Sequence, residues 1–326
     1  MTSASHHSPA PVALKERLAR RPWSWSFIGA VLLWLATLAV AGADAAFNIG
    51  LAALSFGALM VLVGLGQMLV VTTGPGNIDL SIPSTIALTG AMAMRTMGGA
   101  DSGILAGVAV AIAVGVAIGL CNYLLIRLLQ IPPIIATMSS SFILQSLAIH
   151  TSQGMKIAPP QLLSSFATGW LLHLPVLAWV VLAFALALAW ILARTLFGRF
   201  LSAAGQNARA AWLAGIGVER IRCLCYVMCA VFAALCALLI AGFSGGASLD
   251  MGNEYLLMSV AVVVIGGTSV TGGRATVAGI WGAALFLYFT NTLLNVIGLS
   301  AGGRSVLSGL IIIAVIVLSG RRRAYR

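Results

Sequence analysis

GQMLVVTTGPGNIDLSIPSTIALTG, residues 66–90, decides how the chain is read. An apolar run ends in a Gly-Pro-Gly break. A single carboxylate, Asp79, follows, and a second apolar run opens at once. That second run, 82–97, is short of the ~20 residues a helix needs to cross a bilayer. The stretch therefore predicts a shortened third helix entered through a membrane-embedded bend.

Composition extends this to the whole chain. Its 326 residues are 60% hydrophobic, with a mean hydropathy of +1.06, and 8% are charged, against about 25% in a soluble domain. Too few charges exist to build a water-exposed surface, so the chain reads as an all-α polytopic membrane protein with lipid around it. The net charge of +11 fits the cytoplasmic Arg and Lys bias of such proteins, not a nucleic-acid surface.

Ten apolar segments follow one another: 25–45, 50–72, 82–97, 103–126, 132–150, 172–193, 224–243, 255–271, 276–297 and 304–320. With the N-terminus inside, all of the 18 Lys and Arg residues except Arg95, Lys156 and Arg304 fall on cytoplasmic stretches. Asp44, Asp101, Asp250 and Glu254 fall outside. About ten transmembrane helices with both termini cytoplasmic are expected. The parts are a tail at 1–24, a transmembrane domain at 25–323 and a tail at 324–326. AGADA at 41–45 resembles a signal-peptidase site, but the run before it is long for a signal segment and reads as a span.

Halves of five spans would have inverted topology. The short third span and the Gly-interrupted eighth occupy matching positions, each after a Gly-rich turn carrying an acid, GPGNIDLS and SGGASLDMGNE. Matching short helices point to an inverted five-helix pseudo-repeat. In the fourth span Gly103, Gly107, Ala111, Gly115 and Gly119 form a stripe for close helix packing.

No catalytic constellation is present: no H-E-x-x-H, G-x-S-x-G or paired carboxylates. His6 and His7 belong to a polar tail, and His150 and His173 lie at membrane boundaries. The five cysteines contain no C-x-x-C pair, and Cys225, Cys229 and Cys236 share one helical face as small packing residues. No metal and no cofactor is expected in this chain. A P-loop needs Lys after its glycine-rich turn; GTSVTG at 267–272 is followed by Gly273, and the only lysines are Lys15 and Lys156.

Polar residues inside spans are costly and each asks for a role. Gln67 and Asn122 stand alone; Thr137, Ser141 and Gln145 form one stripe and Tyr288, Asn291 and Asn295 another. One reading is interhelical hydrogen bonding, worth about 0.6–2 kcal/mol each. The other is a path for an uncharged polyhydroxyl solute, to which Asp79 and Ser81 would also belong. Asp79 would either support exposed N–H groups at the start of the short helix or touch the solute. On the first reading, Asp79→Asn lowers folded yield more than it alters substrate preference.

The inside segment 195–222 is basic and Gly-punctuated, with an amphipathic helix expected at 201–213 and a break at 215–217. It would lie on lipid or dock a cytoplasmic partner. The outer segment 151–171, with its Pro-Pro pair, is expected to be irregular.

The order of the opening stretch, then FGRFLSAAGQNARAAWLAGI (197–216), then AVVVIGGTSVTGGRATVAGIWGA (261–283), resembles the permease subunits of bacterial ABC sugar importers. These are the ribose, xylose, arabinose and galactose type, within the group that includes branched-chain amino acid permeases. The likeness covers about residues 45–323. It implies a multi-pass protein of the bacterial inner membrane that is not an enzyme. Such a subunit forms the pathway for a simple sugar, a pentose, hexose or related polyol. Its partners would be a second permease, as homo- or heterodimer, cytoplasmic ABC ATPase subunits holding ATP and Mg, and a periplasmic sugar-binding protein.

By resemblance, Arg199, Ala203, Ala204, Gly205, Asn207, Arg209 and Gly215 belong to the ATPase-coupling loop. Gly74, Gly76, Gly266, Gly267, Gly272 and Gly273 belong to the family's glycine elements. Gly-Pro-Gly-Asn stands where a Ser-Gly-Gly turn is usual, and Pro83 where Val is usual, which leaves the solute open. A permease for nucleosides or branched-chain amino acids, or an ion-coupled secondary transporter, is the alternative.

Overall fold

The computed structural model describes residues 23–154 and 157–321. The expectations placed on the N-terminal tail, on Lys156 and on the last residues lie outside them. The chain is a bundle of helices: α1 Ser24–Ala41, α2 Ala43–Thr72, α3 Ile82–Met97, α4 Ile104–Leu129 and α5 Pro133–Ser152 come first. A short α6 Gln161–Thr168 and a hairpin of β1 Trp170–Leu171 and β2 Leu174–Pro175 link them to α7 Val176–Arg194. Then come α8 Leu196–Gln206, α9 Ala208–Leu213, α10 Val218–Ser244, α11 Tyr255–Ile265, α12 Val277–Val296 and α13 Ala301–Arg321.

Among the described residues, α1, α2, α4, α5, α7, α10 and α12 are long and apolar enough to cross a membrane. The 16 residues of α3 span only about 24 Å, and the 11 of α11 about 17 Å. The eighth segment thus ends at Ile265, not 271, because Gly266 and a positive-φ Gly267 turn the chain out of the helix.

Helices α2 and α10 form the centre and run in opposite directions. α2 reaches one end of the bundle at Thr72 and α10 leaves the same end at Val218. Each packs on helices of the other half: α2 on α11 and α12, α10 on α3 and α4. Within each half the third helix packs on the fourth and fifth. This contact set repeats between the halves, in the sense that the two short helices suggested. The first helices depart from it, with α1 along α12 and α7 against α2.

The glycine stripe of α4 explains its tight crossing with α10. A Cβ on Gly115 would lie 2.9 Å from the Val231 Cα, and one on Gly119 2.5 Å from the Val227 Cα. Gly66 of α2 meets Cys229 the same way, at 3.0 Å from its Cα. Cys225, Cys229 and Cys236 are all buried on this helix.

The described part of segment 151–171 is more regular than its prolines suggested. Pro160 starts α6, whose Leu163 and Ala167 are buried against Gly242 of α10, and the Asp101 carboxylate accepts from the Leu162 N–H at 2.9 Å. The hairpin turn puts Leu172 at φ 53° and His173 at φ 63°, a geometry that favours Asn-Gly. Replacing the pair with Asn-Gly is expected to stabilise the protein by about 1–2 kcal/mol, read as a higher Tm in detergent. An unchanged or lower Tm would show that the turn carries no strain.

Candidate functional site

Two places combine buried polarity with close approach of several elements. The first is the turn before α3. After Thr72 the chain turns at Gly74–Gly76, then runs without regular secondary structure from Asn77 to Leu80 and enters α3 at Ser81, its N-cap. Backbone outside a helix or ladder needs other partners, and side chains supply some of them here. The Thr137 hydroxyl accepts from the Leu80 N–H at 3.0 Å, and the Gln67 Oε1 accepts from the Asp79 N–H at 3.3 Å.

The Asp79 Oδ1 accepts from both the Ser81 N–H, at 2.9 Å, and the Ser81 hydroxyl, at 2.6 Å. Asn122 of α4 donates to the Ser81 Oγ at 2.7 Å, and Ser140 of α5 donates to the Asn122 Oδ1. One chain of hydrogen bonds thus ties the turn to α4 and α5. Gln67, Asp79, Ser81, Asn122 and Thr137 are all 0–1% exposed. Gln67 Nε2 and Asp79 Oδ2 have no hydrogen-bond partner among the described residues.

The other sequence candidates lie elsewhere. Ser141 shares a 2.7 Å hydrogen bond with Ser84 of α3, and Gln145 donates to the Leu249 carbonyl at 3.5 Å. Both are half-buried on α5. Asn291 accepts from Ser308 of α13 at 3.1 Å, Asn295 accepts from Arg304, and Tyr288 stacks on Phe56. The two stripes therefore hydrogen-bond to different helices and do not join into one row. Sequence reading missed Ser84, Ser140 and Asn77, which accepts from the Tyr226 hydroxyl at 3.4 Å. Ser140 was within reach, since it sits one helical turn from Thr137.

The second place is the end of the bundle where Thr72 and Val218 lie. Sequence predicted one amphipathic helix at 201–213; the structure has two, α8 and α9, broken at Asn207. Asn207 is extended, and its Oδ1 accepts from the Ala210 N–H at 3.0 Å. Such a cap favours starting a new helix over continuing the old one. Leu201, Ala204 and Gly205 of α8 are buried, Ala203 is half-buried, and Arg199, Arg209 and Gly215 are exposed. Ala204, Ala211 and Val218 form a small core joining α8, α9 and the start of α10.

Gly205 is the focus of this end. A Cβ there would lie 2.0 Å from the Thr72 carbonyl oxygen and 2.3 Å from the Gly273 nitrogen. The Gly273 N–H donates to that same Thr72 carbonyl at 2.9 Å. Gly272 packs on Gly74 and on the Gly205 carbonyl, where a Cβ would come within 2.6 Å and 2.8 Å. Gly266 meets Gly279 of α12 just as closely, at 2.8 Å. The end of α2, the end of α8 and the 266–274 turn after α11 thus meet backbone to backbone. The three stretches that carry the family resemblance converge here, at Gly74, Gly205 and Gly272–Gly273.

Comparison with known proteins follows these stretches. Residues 26–316 match the profile of a family described as branched-chain amino acid transport system / permease component. The autoinducer 2 import system permease protein LsrC of Yersinia pseudotuberculosis serotype O:3 is 32% identical over 269 residues, covering 81% of this chain and 75% of that protein. Its counterpart in Klebsiella pneumoniae subsp. pneumoniae is 33% identical over 266 residues, covering 81% and 76%. No solved structure matches.

Proposed function

The chain belongs to the branched-chain amino acid transport system / permease component family, as a multi-pass inner-membrane transport subunit rather than an enzyme, and we propose that it forms the import pathway for a simple sugar or related polyol. Autoinducer 2 is the first solute to test, because the two relatives belong to import systems for it. A binding protein delivers the solute outside. A separate ATPase, holding ATP and Mg, supplies the energy at the end where Gly205 lies.

The observation that carries this reading is the backbone contact of α8 with both halves, through Thr72 on one side and Gly273 on the other. An element held to both halves can move them against each other when pushed from the cytoplasm, as alternating access requires. Supporting it, α5 is the least apolar of the seven membrane-length helices and is mostly unburied. Ser139 and Ser146 are exposed on it, and Ser141 and Gln145 half-exposed. Polar groups facing lipid are costly, so a second permease covers this face and the solute passes along it. Weak contacts suit a path that must release its cargo.

Proteoliposomes test the whole assembly. Uptake of labelled autoinducer 2 or ribose is expected only when the chain is combined with its binding protein, its ATPase and ATP. Gradient-driven uptake by the chain alone would replace this reading with a secondary transporter.

A further inference from the structure

An ATPase that docks at this end needs an exposed surface to grip. On α8, Leu196 and Arg199 are exposed, but its inner face is locked against Thr72 and Gly273. The exposed aromatic side chain is on α9. Trp212 is 67% exposed and Leu213 70%, on a helix of 6 residues whose other face, Ala211, is buried. The Asn207 cap and the Ala204–Ala211–Val218 core fix the short helix from which this side chain projects.

Beside the ring is a groove of about 450 Å³, lined by Ala208, Arg209, Trp212, Val218, Glu219 and Arg220. Its charges are unbalanced. The Glu219 Oε1 accepts from Arg222 at 3.0 Å, and its Oε2 accepts from Tyr123 at 3.0 Å and lies 3.9 Å from Arg127. Both oxygens are thus turned to α4 and to the buried side of α10. Arg209 and Arg220 are exposed and make no hydrogen bond or ion pair among the described residues. An exposed tryptophan between two unpaired arginines has the composition of an interface hot spot.

Resting on the docking reading, we propose that Trp212 is the peg by which the ATPase is held: it enters an apolar slot of that protein, and Arg209 and Arg220 pair with acidic side chains on the rim. The two terms differ in their response to salt. Burial of the ring is salt-independent, whereas rim pairs are screened within about 10 Å at 0.1 M salt and act mainly on association rate. A lipid surface would meet a continuous apolar face, and here the apolar residues flank a concave groove.

The test uses the full chain in nanodiscs and the ATPase of the same transport system, co-expressed and purified, titrated at low and high salt. Trp212→Ala is expected to weaken binding at least ~10-fold at both salt concentrations, and Trp212→Phe to restore most of it. Arg209→Glu with Arg220→Glu is expected to weaken binding at low salt and flatten the salt dependence. An equal melting temperature for each variant separates these effects from misfolding, since all three side chains are exposed. If all variants bind like wild type while Gly205→Ala still uncouples transport, the peg is overturned and the docking reading stands. If the wild-type chain binds no ATPase, the docking reading itself falls. Binding that instead follows the phosphatidylglycerol content of the nanodisc, through Arg209 and Arg220, would assign the patch to lipid and overturn the proposal.

Discussion

Gly205→Ala is expected to abolish ATP-driven uptake, while Gly302→Ala on α13 leaves it within a factor of about two, the range of neutral surface changes. The contrast rests on what each added methyl meets. At Gly205 it meets only backbone: the Thr72 oxygen at 2.0 Å, the Gly273 nitrogen at 2.3 Å and the Gly273 Cα at 2.9 Å. Backbone cannot rotate aside as a side chain can. Either α8 withdraws, or the hydrogen bond between Gly273 and Thr72 opens. Overpacking of this kind costs about 1–3 kcal/mol, and the lost bond about 1 kcal/mol more. Gly302 is exposed, and an added methyl there meets nothing within 4 Å. Melting temperature, uptake and stimulation of the ATPase are measured for both. Similar behaviour of the two variants would remove α8 from the coupling path.

Asp79→Ala is expected to cost about 2–6 kcal/mol of stability, because it strands two buried donors at roughly 1–3 kcal/mol each. The donors are the Ser81 N–H and the Ser81 hydroxyl, which both point to the Asp79 Oδ1. Loss of Ser81's orientation then weakens its bonds to Asn122 and, beyond it, Ser140. Asp79→Asn keeps the Oδ1 acceptor and changes only the oxygen that has no partner. The Asn variant is therefore expected to fold nearly as well as wild type. This revises the expectation drawn from sequence, which placed the stability loss on Asn. Folded yield and Tm rank the two variants. Normal folding of Asp79→Ala with altered solute preference would move this carboxylate from helix support to solute contact.

Much of this was legible before any coordinates. The Gly-Pro-Gly break predicted a turn between two helices, and 82–97 appears as α3 with the same limits. The glycine stripe of the fourth span predicted tight packing, and Gly115 and Gly119 supply it against α10. Other features were out of reach because they depend on partners far along the chain. Ser81 to Asn122 is a contact over 41 residues and Thr137 to Leu80 over 57, and no local pattern encodes such pairs. The break of the amphipathic segment at Asn207 was missed because amphipathic periodicity runs on through it. Only the conformation of Asn207 and its bond to Ala210 show where α8 ends.

By itself the sequence determined the solvent, the class and the family. Hydropathy, charge bias and three glycine-bearing stretches are local properties, and each survives being read one segment at a time. Tertiary structure decided where those stretches meet. Gly205 and Gly272 are distant in sequence, and an added methyl on either would meet the backbone of another stretch, whereas Gly74 and Gly273 hold positive φ. It also decided that the carboxylate at 79 is enclosed and serves Ser81. Closeness between segments is a property of the packed chain, and no single segment carries it.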